Sequence, residues 1–384
     1  MLKGRIIHIV RPFFYPNLFC RSQKTLNPQL STLNSQPSTL NSKLSTNIMF
    51  SQQELTLLVN DALAKVNMNK RVARLYEPIR YAIDNGGKRI RPVLMLMAYN
   101  LFRDDIQRII DNALAMEVYH NFTLLHDDVM DKAEMRRGKK CVHVKWDENT
   151  AILSGDTMLA MAYRLMTENQ SSFIENGCML ECYKALRNAY STFNDATIGV
   201  CEGQQLDMDF ETMEEVTEEQ YMEMIRLKTS LLLSCSLKIG AQLAGACDDD
   251  AELLYHFGEK IGLAFQLQDD LLDVYGDPKV FGKNIGGDIV ENKKTFMLIK
   301  ALQIADDDNK RLLKQWIDKT SFIRQEKIDA VTFIYNVCGI REICERKIET
   351  LFAEGMYALD SLHVDDEKKC HLRSFAMNLM KRKS

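Results

Sequence analysis

Proline is scarce in this chain and placed so as to be absent where it would do damage. Its seven copies stand at positions 12, 16, 28, 37, 78, 92 and 278 of 384, leaving 93–277 and 279–384 without any. Proline is strongly excluded from helix interiors, so two long proline-free stretches fit a mostly helical chain. Strand signals are equally thin, with no regularly spaced alternating runs between turn clusters. The expected class is all-α. Cysteine is present ten times but without CxxC spacing, and the closest pair is Cys178 and Cys182. That usage excludes a disulfide scaffold and fits reduced thiols in a cytosol, hence a cytoplasmic protein. There is no basic excess: the net charge is −4, which argues against a nucleic-acid partner. No apolar run approaches the roughly 20 residues of a membrane span, so insertion into a bilayer is excluded by the same reading.

Acidic residues are also missing from the first 48 positions, which hold six Lys or Arg and no Asp or Glu, against 43 basic and 53 acidic residues in the remainder. This segment contains a heptapeptide repeat: TLNPQLS from Thr25, TLNSQPS from Thr32 and TLNSKLS from Thr39. Such polar low complexity cannot bury a core. It reads either as a translated upstream tandem repeat, with Met49 as the true start, or as an acid-poor organelle transit peptide. Residues 49–384 are expected to form one large helical domain.

From Met49 onward the pattern is helix after helix. Ser51 and Glu54 make a capping box before a leucine-rich helix. A second helix runs to Asn85-Gly86-Gly87, and Pro92 sits in the first turn of a third. A fourth, from about Asp105, ends near Asp131. Further helical patterns cover 151–166, 173–192, 196–206, 218–243 and 252–274. Beyond the next loop they cover 294–305, 309–317, 324–335 and 341–362, with a last turn or two near 366–380. Only the loops 132–150 and 275–293 are long, and long loops tend to be functional.

Two acidic clusters stand where helices resist them. Asp127-Asp128-Val129-Met130-Asp131 and Asp269-Asp270-Leu271-Leu272-Asp273 share the pattern DDxxD, 142 residues apart. On a helix the first and last aspartates of each lie on one face, about 5–6 Å apart between Cβ atoms. Like charges so placed destabilise a helix, and more so at its C-terminal end, where the dipole disfavours negative charge. A single copy could be a solvated helix end. Two copies, after the apolar FTLLH and IGLAFQLQ, point to bound cations. Hard oxygen ligands without a Cys/His set suggest Mg²⁺, which takes few carboxylates plus phosphate oxygens.

Carboxylate-held Mg²⁺ implies a polyphosphate, and cations to clamp one are present. Gly86-Gly87-Lys88-Arg89-Ile90-Arg91-Pro92 packs three cations into one turn, and Arg136-Arg137-Gly138 follows the first acidic cluster by five residues. Lys228-Thr229, Lys283 and Lys293 add more. Arginine grips phosphate oxygens bidentately and lysine acts as a point charge. His126-Asp127 could begin an HD metallohydrolase dyad, but no His-rich element accompanies it, His143 being the nearest. The twenty methionines read as core and cavity lining.

The blocks GGKRIRP, LLHDDVMDKAEMRRG, KT and FQLQDDLLDVYGDPKVFGKNIGGDIVENKK resemble, in this order, the diagnostic blocks of the trans-isoprenyl diphosphate synthases, the farnesyl and geranylgeranyl diphosphate synthases of the polyprenyl synthetase family. The resemblance implies an all-α bundle around a central active-site cavity, a homodimer, and Mg²⁺-dependent head-to-tail condensation of isopentenyl diphosphate with an allylic diphosphate. It implies three Mg²⁺ per site when both clusters and diphosphate are engaged, with Mn²⁺ able to substitute. By position, Asp127 and Asp131 resemble Mg²⁺ ligands supported by Asp128, and Asp269 the second motif's ligand with Asp270 and Asp273 in or near its shell. Lys88, Arg91, His120 and Arg137 match an isopentenyl diphosphate site. Arg136, Lys228, Gln266, Lys283 and Lys293 match allylic diphosphate contacts, and Thr229 with Gln266 the pair that steadies a carbocation. Gly203-Gln204-Gln205-Leu206-Asp207 resembles the family's GQxxD block, facing the allylic pocket or forming a plain polar patch on a helix. In this family an aromatic residue five or four positions before the first motif limits chain growth. Here Phe122 and Thr123 occupy those places, which implies a product of fifteen or twenty carbons, with geranylgeranyl favoured over farnesyl.

Three other classes stay in view. A class I terpene cyclase would lack GGKRIRP and carry an Asn/Ser/Glu-type second motif. A non-catalytic subunit of a heteromeric synthase would lose one aspartate cluster. A regulatory Mg²⁺-binding helical protein would need no convergent cations.

Overall fold

The computed structural model describes residues 49–66, 71–168, 179–276 and 285–381. The repeat-bearing segment and Lys283 therefore lie outside the described residues, as do Cys178 and Pro278. Contacts gather Asn47–Ser384 into one compact unit.

The helices are α1 Gln52–Lys65, α2 Ala73–Asp84, α3 Ile90–Asn100, α4 Ile110–Met130, α5 Val142–Lys145, α6 Glu148–Thr167, α7 Met179–Thr212 and α8 Glu218–Ile225. They continue as α9 Leu231–Ala244, α10 Asp248–Tyr275, α11 Gly287–Val290, α12 Phe296–Ile304, α13 Asp307–Asp318, α14 Arg324–Val337, α15 Ile340–Asp360 and α16 Cys370–Met380. The strand content of the described residues is one two-residue hairpin, β1 Met135–Arg136 against β2 Lys139–Lys140. The all-α expectation holds, and the capping box at Ser51 is formed from both sides.

Local departures have local reasons. Pro78 lies inside α2, where it is buried. The expected break between 192 and 196 does not occur: α7 runs unbroken for 34 residues. The expected helix 218–243 is interrupted by a π-helical turn, Arg226–Ser230, between α8 and α9. Such single-turn bulges gather at functional sites.

Two layers of core set the position of everything else. α3 is buried along its length from Pro92 to Asn100, and α9 from Leu231 to Leu237. They pack backbone to backbone at Gly240, where a Cβ would stand 2.2 Å from the Met95 carbonyl oxygen. Even alanine there would force the two helices apart. α10 belongs to both cores. Leu254, Phe257 and Ile261 join the one built on α3, α4 and α9, while Leu267, Leu271 and Val274 join the one built with α8, α12, α14 and α15. Each buried leucine contributes about 1.5–3 kcal/mol, so the end of α10 that carries the second acidic motif is rigidly placed.

Candidate active site

The first acidic motif occupies the last turn of α4, with Asp131 as its C-cap. Its charges are met by two cations that arrive from elsewhere. The hairpin after α4 turns back through left-handed backbone at Lys132 and Arg137 and delivers Arg136. The Arg136 Nε donates to Asp128 Oδ1 at 2.6 Å, and its guanidinium lies 3.6 Å from Asp127 Oδ2. From the π turn, Lys228 Nζ stands 2.6 Å from Asp207 Oδ2 on α7 and 3.4 Å from Asp127 Oδ1. The π turn can come this close to α7 because residue 203 is glycine: a Cβ there would stand 2.5 Å from the Lys228 backbone nitrogen. Burial, then the charge of Asp127, raises the Asp131 pKa above the usual aspartate value, with Lys228 opposing.

The second motif ends α10 in a different setting. Asp270 is buried and its oxygens face neutral donors. Tyr221 Oη donates to Oδ2, and Gln266 Nε2 donates to Oδ1 at 3.1 Å. Burial pushes the Asp270 pKa up to about 6, although both donors pull it down. Thr229 Oγ1 donates to Gln266 Oε1 at 3.1 Å, joining the π turn to this motif. Asp273 Oδ2 accepts the Asp288 backbone N–H at 2.9 Å, which fixes the start of α11. Asp288, absent from the residues singled out in the sequence, is pushed up to about 7 by its burial. Lys293 is largely desolvated, which favours the neutral amine. Asp288, Asp207 and Asp270 outweigh this and hold its pKa above the ordinary lysine value. A run of alternating charge thus links the motifs: Asp127, Lys228, Asp207, Lys293, Asp270.

A basic wall stands beside the first motif. Asn85 Nδ2 donates to the Arg136 carbonyl at 3.1 Å, Tyr81 Oη to the Lys140 carbonyl at 2.9 Å, and the Arg137 guanidinium to the Gly86 carbonyl. These bonds hold the GGKRIRP turn against the hairpin. Its three cations do different things. Lys88 is exposed. Arg89, in left-handed backbone, turns inward to Glu117 at 2.6 Å, also donating to Asn60 and the Ile83 carbonyl. It is a buried structural pair whose loss on removing one partner would cost about 3–5 kcal/mol. Arg91 keeps a buried Nε with no hydrogen-bond partner. Burial, with Arg137 nearby, brings its pKa down to about 10. Burial, then Arg91, Arg137, Arg136 and Arg89, drives His120 well below the ordinary histidine value, so the imidazole is neutral at pH 7. Arg91, whose buried Nε has no hydrogen-bond partner, and Arg137 beside a neutral histidine form a receptor for an anion.

Phe122 is buried, with its ring 5.5 Å from Tyr119 and 4.8 Å from His126. Tyr119 in turn lies 5.7 Å from Phe193, so an aromatic stack extends beneath Phe122. Thr123 is half-buried and donates to the His120 carbonyl at 2.9 Å. His126 points away from any metallohydrolase dyad: its Nε2 lies 3.1 Å from the Ile152 carbonyl on α6.

Among the described residues neither motif gathers three ligand atoms within 4.8 Å of one another. Their donor set is nonetheless all oxygen, and Asp127 Oδ1 is buried without a hydrogen bond, its lysine contact being an ion pair only. An ion that takes one or two carboxylates and completes its shell with water and phosphate oxygens fits this arrangement. Sequence reasoning missed Tyr221 and Asp288. Asp288 stood within the quoted IGGDIV block, whereas Tyr221 carried no signal beyond preceding Lys228 by two helical turns.

Residues 72–335 match the sequence profile of a family described as Polyprenyl synthetase. The chain is 37% identical over 298 residues to a geranylgeranyl diphosphate synthase of Methanosarcina mazei, covering 78% of this chain and 87% of that protein. It is 39% identical over 261 residues to a short chain isoprenyl diphosphate synthase of Methanocaldococcus jannaschii, covering 68% and 76%. A crystal structure of a geranylgeranyl pyrophosphate synthase superposes with a TM-score of 0.79 at 40% identity, covering 88% of this chain and all of the other.

Proposed function

The chain belongs to the polyprenyl synthetase family, and from that premise we propose how its residues divide the work of joining two diphosphate esters. It is a prenyltransferase that makes short-chain prenyl diphosphates. The observation that supports the residue assignment is the ion-paired line from Asp127 through Lys228 to Asp207, with Lys293 held above the ordinary lysine value by the charges of Asp207 and Asp270.

In this reading Asp127, Asp131 and Asp269 hold Mg²⁺, with Asp128 fixed by Arg136 and Asp270 by Tyr221. Asp273, which accepts the Asp288 N–H, would support the metal site from beside Asp269. Bound Mg²⁺ would offset negative charge on the allylic diphosphate. Arg136, Lys228 and Lys293, with Lys283 beyond the described residues, grip that diphosphate and stabilise the charge that grows as its C–O bond breaks. Lys88, Arg91, neutral His120 and Arg137 hold isopentenyl diphosphate beside it. The isopentenyl double bond attacks the allylic C1, forming the new C–C bond. The resulting cation loses a proton to an oxygen of the released diphosphate, which restores the double bond. The Thr229 hydroxyl and Gln266 amide, joined to each other, present dipoles to the cation. A dry apolar cavity keeps water from quenching it.

Phe122 forms the floor and the product has twenty carbons, a reading supported by the floor's single aromatic at the motif and by the names of the relatives. The enzyme is a homodimer, a reading supported by the large apolar side chains left exposed on α6, Ile152 and Leu153, and on α7, Tyr183 and Ile198. No helix among the described residues is long and apolar enough to cross a membrane. The free cysteines among the described residues accord with the cytosol.

The test is direct. The purified chain receives Mg²⁺, isopentenyl diphosphate and, in turn, dimethylallyl, geranyl or farnesyl diphosphate. The products are hydrolysed and sized by chromatography. All-trans alcohols ending at twenty carbons are expected. A main product of fifteen would remove the length assignment, and no elongation of any starter would move a partner-dependent subunit to the front.

A further inference from the structure

We propose that Cys247, Asp250 and His363 form a second cation site, of the kind that holds Zn²⁺, separate from the two aspartate motifs. Among the described residues these three alone bring Cys, Asp or Glu and His ligand atoms within 4.8 Å of one another as a set. They come from two segments 113 residues apart. Cys247 is the N-cap of α10, Asp250 lies in its first turn, and His363 follows the end of α15. The Asp250 carboxylate is buried, whereas Cys247 and His363 reach the surface and leave a way in.

The spacing fits a metal better than chance proximity requires. Cys247 Sγ is 3.3 Å from Asp250 Oδ2, and His363 Nδ1 is 3.0 Å from Asp250 Oδ1. A tetrahedral ion with bonds of about 2.0–2.3 Å has ligand–ligand edges of about 3.3–3.8 Å. Cys247 and His363 stand on the two oxygens of the one carboxylate, all three ligand atoms lie within 4.8 Å of one another, and a modest inward turn of the two exposed side chains would close them on an ion with water in the fourth position. His363 is also anchored by its backbone N–H, which donates to Asp250 Oδ1 at 2.9 Å. Charge balances as well. A Cys247 thiolate and the Asp250 carboxylate offset a dication, the imidazole stays neutral, and the thiol proton leaves to solvent on binding. Asp248 and Asp249 beside the site, and Asp365 and Asp366 just beyond His363, deepen the negative potential around it. Sulfur, nitrogen and a single carboxylate select a softer ion than Mg²⁺.

The site lies at the opposite end of α10 from Asp269. At 1.5 Å per residue the separation is about 28 Å along the helix. An ion there takes no part in the chemistry. It ties the start of the helix that carries the second motif to the turn that leaves α15, and so stabilises the fold.

Cobalt distinguishes this site from the oxygen-only motifs, because only a thiolate ligand gives a near-ultraviolet sulfur-to-Co²⁺ charge-transfer band. The full chain, reduced and kept in excess Mg²⁺, is titrated with Co²⁺. The band is expected to saturate near one equivalent and to be displaced by Zn²⁺. It is expected to be absent in Cys247→Ser, at least tenfold weaker in affinity in His363→Ala, and unchanged in Asp127→Asn. Zn²⁺ is expected to raise the melting temperature of the parent chain and not of Cys247→Ser, with prenyl transfer intact in both. No band at stoichiometric Co²⁺, or a band that both variants leave unchanged, would overturn the site. Should Cys247→Ser fail to fold by circular dichroism, the exposed His363→Ala decides.

Discussion

At the first DDxxD motif Asp127 and Asp128 face cations, Lys228 and Arg136, which reach them from a π turn and a hairpin. At the second, with the same letters, Asp270 is sunk in the core and faces a phenol and an amide. The first motif is therefore charge-paired before any ligand arrives. In the second, burial raises Asp270 to a pKa of about 6, so that it keeps its charge at pH 7 and loses it in mild acid. Identical motifs are thus not interchangeable. One can exchange its protein cations for metal and substrate, while the other carries a buried carboxylate whose charge is lost as the pH falls through about 6.

This difference can be broken by substitution. Asp127→Asn and Asp269→Asn are each expected to lower kcat/KM by about a thousandfold or more, several kcal/mol of charge stabilisation being lost. Steady-state kinetics at saturating Mg²⁺ checks this, and a large effect from one motif alone would dissolve the idea of a joint site. Lys228→Met should cost about a hundredfold, the scale of one donor removed from developing charge. In a double-mutant cycle it should be strongly non-additive with Asp207→Asn, since each leaves the other unpaired. Additive effects would mean that their 2.6 Å contact is incidental.

Tyr221→Phe sharpens the contrast in pH. Its hydroxyl lowers the Asp270 pKa, so its loss raises that pKa further above about 6. A cation needs the ionised carboxylate, so the Mg²⁺ concentration for half-maximal rate should rise about tenfold at mildly acid pH and much less at about pH 8. Equal change at both would show that the phenol merely fills space. In metal-free protein the sign for stability is the opposite of the usual aspartate case. The folded state binds more protons than the unfolded between about 4 and about 6, so stability falls as pH rises through that window. The smallest effect on rate is expected from Phe122→Ala, within a few-fold, with the product lengthened by at least one five-carbon unit. Unchanged length would remove Phe122 as the floor.

How much of this was legible in the sequence follows from what each feature depends on. The helices show through their periodicity and the absence of proline, and both motifs through like charges where a helix resists them. Arg89 and Arg91 could not be told apart, because the left-handed turn that sends Arg89 to Glu117 is set by packing against α1 and α4. The π turn at Lys228 has no local signature; Gly203, far away in sequence, leaves room for its backbone against α7. The unbroken α7 escaped because its middle is polar enough to resemble a gap, yet Ala189, Phe193, Ala196 and Val200 are buried. Tyr221 was invisible because its role comes from a partner 49 residues away.

The central claim, that two distant motifs act as one cation-binding site, has a direct test. Crystals of the full chain soaked with Mn²⁺ and diphosphate would be measured at the manganese edge. The account predicts anomalous peaks on both sides of the bound diphosphate, against Asp127 and Asp131 and against Asp269. Peaks confined to one motif, with the other still held by its own protein partners, would contradict it.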